Sequence, residues 1–188
     1  MSKIVVFNGS PHKNRTTAAL LGAVAEGAKS KGAEVVHYYL NAMYIRGCQD
    51  CGGCRQDGSE GKEITCILDD YLKPMYKDVL EADGVVIGTP IYGGNITAQT
   101  LTFLQRLRPF RDAERKSLIP GKNFVTVVTQ GNDNKETYAQ RIGELQRVFA
   151  SYGWEQVGDV IWAGARLEDG ALPSDMQTES YSAGERLV

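Results

Sequence analysis

Imidazole is scarce in this chain. His12 and His37 are its two histidines among 188 residues, too few for the acid–base relays of most hydrolases. No Ser-His-acid or zinc-hydrolase spacing occurs either. An excess of one charge sign is also missing: the formal net charge is −2, which speaks against nucleic acid or an anionic membrane surface as a partner. No apolar run is long enough to span a bilayer. The first strand follows directly on the initiator, leaving no room for a leader, so a cytoplasmic protein is expected. Repeats and low-complexity tracts are absent. What remains is 42% hydrophobic and 23% charged, the composition of a globular chain, with length enough for one domain with a three-layer core.

The opening stretch organises the rest. Lys3 to Phe7 is a short apolar run, Asn8-Gly9-Ser10-Pro11 is a turn, and an amphipathic pattern resumes from Ala18 to about Lys31. Strand, tight loop and helix in that order offer backbone amides and a helix N-terminus to a phosphate. A nucleotide-hydrolase loop would need a second glycine and a lysine where this frame supplies Asn14, Arg15 and Thr16. A dinucleotide fingerprint would need three glycines and an acid ending the second strand, which instead ends Tyr38-Tyr39-Leu40-Asn41. A monophosphate cradle fits better, built from Ser10, Asn14, Thr16 and Thr17 with Arg15 for added charge. Helix capping alone would account for one threonine but not for the cluster.

Further strands are expected at 34–40, 85–88, 124–129 and 154–162, and helices at 69–82, 97–107 and 136–152. This alternation implies a doubly wound sheet with right-handed crossovers. The loops after the first, third and fourth strands are rich in Gly, Asn and Thr, and ligands in such sheets bind beyond the strands' carboxyl ends. From Ala163 the hydrophobic pattern fades, so 1–162 is expected as the domain and 163–188 as a tail that is draped on the surface or partly disordered, or that reaches a neighbouring subunit.

Asn8-Gly9-Ser10-Pro11-x-x-Asn14-x-Thr16 resembles the phosphate loop of the flavodoxin-like NAD(P)H-dependent FMN reductase family, which includes the iron–sulfur flavoproteins. Thr89-Pro90-Ile91-Tyr92-Gly93-Gly94-Asn95 resembles that family's second flavin loop. The resemblance implies a five-stranded parallel sheet of order 2-1-3-4-5, and FMN held by Ser10, His12, Asn14, Thr16 and Thr17 at its phosphate. It implies Pro90, Ile91, Tyr92, Gly93, Gly94 and Asn95 along the ring, and Thr129, Gln130 and Gly131 under its pyrimidine end. The Gly-Gly pair also reads as a plain turn. His12 belongs to the binding loop and is not expected as a catalyst. No side chain is assigned a catalytic role, since the cofactor carries the redox chemistry. The family further implies NAD(P)H or a reduced protein as donor, a quinone, azo or nitro compound or free flavin as acceptor, and a homodimer or homotetramer. The alternative is a non-enzymatic electron carrier.

All four cysteines fall in a loop at 47–66. Cys48, Cys51 and Cys54 are spaced by two residues, and Cys66 follows after eleven more. Such a triplet suits a cubane iron–sulfur cluster, while four thiolates also suit zinc, and free thiols are the third option. The iron–sulfur flavoproteins carry a similar triplet after the second strand, which implies a [4Fe-4S] cluster. Their fourth cysteine follows more closely, so residues 58–63 are expected as an insertion.

Overall fold

The apolar runs of the sequence become the middle of a sheet. In the computed structural model, which describes residues 1–54, 63–167 and 169–188, β1 (Lys3–Asn8), β3 (Gly84–Tyr92) and β5 (Asn123–Thr129) lie side by side. β2 (Glu34–Tyr39) and β6 (Glu155–Trp162) flank them, giving the parallel order β2-β1-β3-β5-β6. A two-residue strand β4 (Asn95–Ile96) pairs antiparallel with the end of β3. Numbered without this short strand, the parallel strands have the expected order 2-1-3-4-5.

Alternation along each strand divides the core. Val5, Phe7, Val85, Ile87, Phe124 and Val128 face one layer, packing against α2 (Lys73–Glu81), α3 (Ala98–Gln105) and α4 (Ala139–Ala150). Ile4, Val6, Val86, Val125, Val127 and Val160 face the other, against α1 (Thr16–Ser30) and α5 (Ser174–Glu185). A strand covered on both faces has to be apolar throughout, which is why these runs do not alternate in sequence. Among the described residues no helix is long and apolar enough to cross a membrane.

Three differences from the sequence-based expectations have physical reasons. The helix expected from Asp69 begins at Lys73 with Pro74 in its first turn, because the Asp70 side chain accepts from the Leu72 amide and ends the preceding turn. The helix expected from Glu136 opens as a 3-10 turn (Lys135–Tyr138) headed by Asn134, whose side chain accepts from the Glu136 amide. The stretch from Ala163 is not merely draped on the surface. Its helix α5 buries Met176, Ser180, Ala183 and Gly184, and Gly27 and Gly184 let it lie backbone to backbone on α1. A methyl at Gly184 would stand 1.9 Å from the Val24 carbonyl oxygen, and one at Gly27 2.0 Å from that of Tyr181.

Candidate functional site

The registers Asn8↔Gly88 and Pro90↔Thr129 bring the carboxyl ends of β1, β3 and β5 to one edge. There the loops enclose a cleft of about 460 Å³ lined by Ser10, His12, Thr16 and Thr17 from the first loop, Pro90, Ile91 and Tyr92 from the second, and Thr129, Gln130 and Gly131 from the third. Its volume lies within the range of small-molecule sites.

The first loop is tied down from several sides. The Asn8 side chain accepts from the Ser10 amide at 2.9 Å, and Ser10 Oγ accepts from the His12 amide at 3.1 Å. The Tyr39 hydroxyl donates to the Pro11 carbonyl at 2.8 Å. Thr97, which caps α3, donates its hydroxyl to the Gly9 carbonyl at 2.7 Å. Gly9 is required by this approach: a Cβ there would meet Thr100 Oγ1 at 2.0 Å. Thr17 and Thr129 join the first and third loops through a buried hydroxyl pair at 2.8 Å.

The head of α1 is left available. Its N-cap position is Arg15, extended and without a side-chain cap, and no acid occupies the first turn. Helix N-termini leave amide donors unsatisfied, and these attract anions. Arg15 also lines the cleft. The donor set of hydroxyls, amides and guanidinium suits a phosphate ester.

Four expected residues stand apart from the cleft. Asn14 lines a separate depression with Lys13 and His37. Gly93 and Gly94 have φ of 58° and 76° and form the two-residue turn between β3 and β4, the conformation a type I′ hairpin demands. Nothing lies within 4 Å of a Cβ built at either, so turn geometry explains both glycines. Asn95 folds its side chain back to accept from the Ile96 amide. Conversely, Ala165, Arg166 and Leu167 line the cleft, although the sequence pattern places them in the tail. The Gly164 and Ala165 amides donate to the carbonyls of Asn132 and Gln130, carrying the chain past β6 along the third loop. The available signal was position, since Arg166 follows the last strand at the same carboxyl edge.

A second cleft, of about 880 Å³, collects Cys48, Cys51, Cys54 and Cys66 with Arg108, Arg111 and Arg115. All four thiols are free, and among the described residues no His, Cys, Asp or Glu group is arranged to hold a metal. Burial pushes the Cys54 thiol above its ordinary value and its thiol neighbours add to this, while Arg108 opposes it. Of the expected insertion at 58–63, all but Glu63 lies outside the described residues.

Fold and cleft define a flavodoxin-like α/β protein with a polar-lined cleft at the carboxyl edge of the sheet. The sequence profile of the NADPH-dependent FMN reductase family matches residues 2–163, and the chain belongs to that family. It is 25% identical over 189 residues to an iron-sulfur flavoprotein of Methanosarcina thermophila, covering 96% of this chain and 91% of that one. Its fold is shared by an NAD(P)H:quinone oxidoreductase from Methanothermobacter marburgensis (TM-score 0.72, 15% identity, 100% of this chain and 96% of that one). An apo NADH:FMN oxidoreductase shares it as well (TM-score 0.66, 21% identity, 100% and 88%).

Proposed function

We propose that the chain binds FMN in the 460 Å³ cleft and passes electrons from NAD(P)H or a reduced protein donor to a small acceptor such as a quinone, azo or nitro compound, or free flavin. The observation that carries this reading is the uncapped head of α1 opening into a cleft lined by three loops. Ser10, Thr16, Thr17 and Arg15 would hold the phosphate, joined by His12 and Arg166 at the lining. Pro90, Ile91 and Tyr92 would lie along the ring, with Thr129, Gln130 and Gly131 at its far end. Bound FMN supplies the redox chemistry; the protein binds it, orients it and restricts water. Gln130 is buried, and its side-chain nitrogen donates to the Asn132 and Asn134 carbonyls, which fixes the third loop for that task. The relatives' names, NADH:FMN and NAD(P)H:quinone oxidoreductase, support the donor and acceptor classes.

The same reading gives the four cysteines a [4Fe-4S] cluster, supported by their shared cleft and by the relative named iron-sulfur flavoprotein. Four thiolates carry the charge such a cluster needs, and Arg108, Arg111 and Arg115 at the same cleft would offset it. An assembly of two or four copies in the cytoplasm completes the reading.

Anaerobic reconstitution with FMN, iron and sulfide tests both parts. The expected result is a stoichiometric flavin bleached by NADH, NADPH or reduced ferredoxin, and about four irons per chain. A flavin that none of the three donors bleaches would count against the reductase, and iron-free protein against the cluster.

A further inference from the structure

The cysteine loop leaves the fold near Arg46 and returns at Asp70, 24 residues later in sequence. For Cys66 to share a cleft with the other three thiols, those two ends have to be held together, and an open loop of this length resists that entropically. One side chain spans the gap. Arg106, the residue that ends α3, is 1% exposed. Its Nη1 donates to the Arg46 carbonyl at 2.8 Å and to Asp70 Oδ2 at 2.5 Å, and its Nη2 donates to Asp70 Oδ1 at 3.2 Å. Asp70 completes the link by accepting from the Arg46 amide at 3.2 Å and the Leu72 amide at 3.1 Å. The Tyr76 hydroxyl donates to the Arg106 carbonyl at 2.9 Å, fixing the guanidinium's own backbone. The adjoining Gln105 and Arg108 form part of the thiol cleft wall.

We propose that Arg106 and Asp70 are positioning residues for the thiol site: a clasp that holds the two ends of the cysteine segment together and keeps Cys66 at the cleft lined by Cys48, Cys51 and Cys54. The choice of residues fits that role. A buried ion pair is a weak device for stability, since a well-packed apolar pair of similar volume serves as well or better. A planar guanidinium gripping a carboxylate with two nitrogens fixes distance and angle together, which an apolar contact does not. Arg106 therefore joins three things in register, namely the outgoing strand of the loop, its return, and the end of α3.

The inference rests on the reading of the four cysteines as ligands of one metal group, and the test separates the two. Full-length apo protein, with Arg106→Met, Arg106→Lys and Asp70→Asn variants, is titrated anaerobically with Co(II), following the thiolate-to-cobalt absorption, and separately with FMN. Partners that orient a ligand set are worth about 10- to 100-fold in metal affinity. That loss is expected in Arg106→Met and Asp70→Asn with FMN affinity unchanged, and Arg106→Lys should recover part of it. Wild-type protein that binds Co(II) no better than Arg106→Met overturns the clasp alone. Wild-type protein that shows no cobalt–thiolate absorption overturns the ligand reading, and the clasp with it. Parallel loss of FMN and Co(II) in all three variants would mean a general folding role and would also overturn the proposal.

Discussion

Thr17 and Thr129 meet across 112 residues of sequence, and each buried hydroxyl is the other's partner. Thr17→Val keeps the shape and strands Thr129, so it should cost about 1–3 kcal/mol in urea denaturation. Arg15 and Arg166 line the cleft, and under the proposed function their test is ligand binding instead. Arg166→Ala should weaken FMN about tenfold and leave riboflavin unaffected, as a charge-assisted contact to the phosphate predicts. Asp70 carries a pH dependence. Burial pushes its carboxyl up, but hydrogen bonds from Arg106 and from the Arg46 and Leu72 amides outweigh this and hold it below its ordinary 3.8. A depressed carboxyl stabilises the fold above its unfolded-state value and loses that contribution as pH falls through the folded one. Thermal melts should therefore steepen below about pH 4 in the wild type and flatten in Asp70→Asn. At this scale the sequence was partly legible. Ser10, Thr16 and Thr17, which line the cleft, could be chosen because a cluster of hydroxyls at a helix start is more than capping uses. Arg106 could not, because its importance lies in partners 36 and 60 residues away.

Elements carry a different set of consequences. α1 bears the candidate phosphate loop and rests on α5 through Gly27 and Gly184. Gly184→Ala would push a methyl into the Val24 carbonyl, and helices packed this closely have no slack. We expect a loss of about 1–3 kcal/mol by calorimetry, with FMN affinity reduced because the displaced helix carries the loop with it. α5 was hard to read for the same reason. Its buried face is Met176, Ser180, Ala183 and Gly184, and the last three are small residues that favour close contact over bulk, so apolar periodicity nearly vanishes. The turn after β3 shows the opposite. Gly93-Gly94 is conspicuous in sequence, yet its positive φ angles answer to hairpin geometry. Gly93→Ala should cost about 1–2 kcal/mol of stability.

At the scale of the whole molecule, one physical rule made the fold readable. Strands covered on both faces need near-continuous apolar runs, and Val85-Val86-Ile87 and Phe124 to Val128, broken only by the buried Thr126, supply them. The sheet order then places three polar loops at one edge, and that edge carries the cleft. Arg166 escaped because the chain continues beyond β6, bonded to the third loop by backbone groups that leave no mark in side-chain pattern. The central claim is that the cleft holds a flavin by its phosphate. Its most direct test is equilibrium titration of the apo protein with FMN and with riboflavin, read by quenching of flavin fluorescence. The account predicts one FMN per chain, bound at least about tenfold (about 1.4 kcal/mol) more tightly than riboflavin. Equal affinity for the two, or no FMN binding by folded protein at high micromolar concentration, would contradict it.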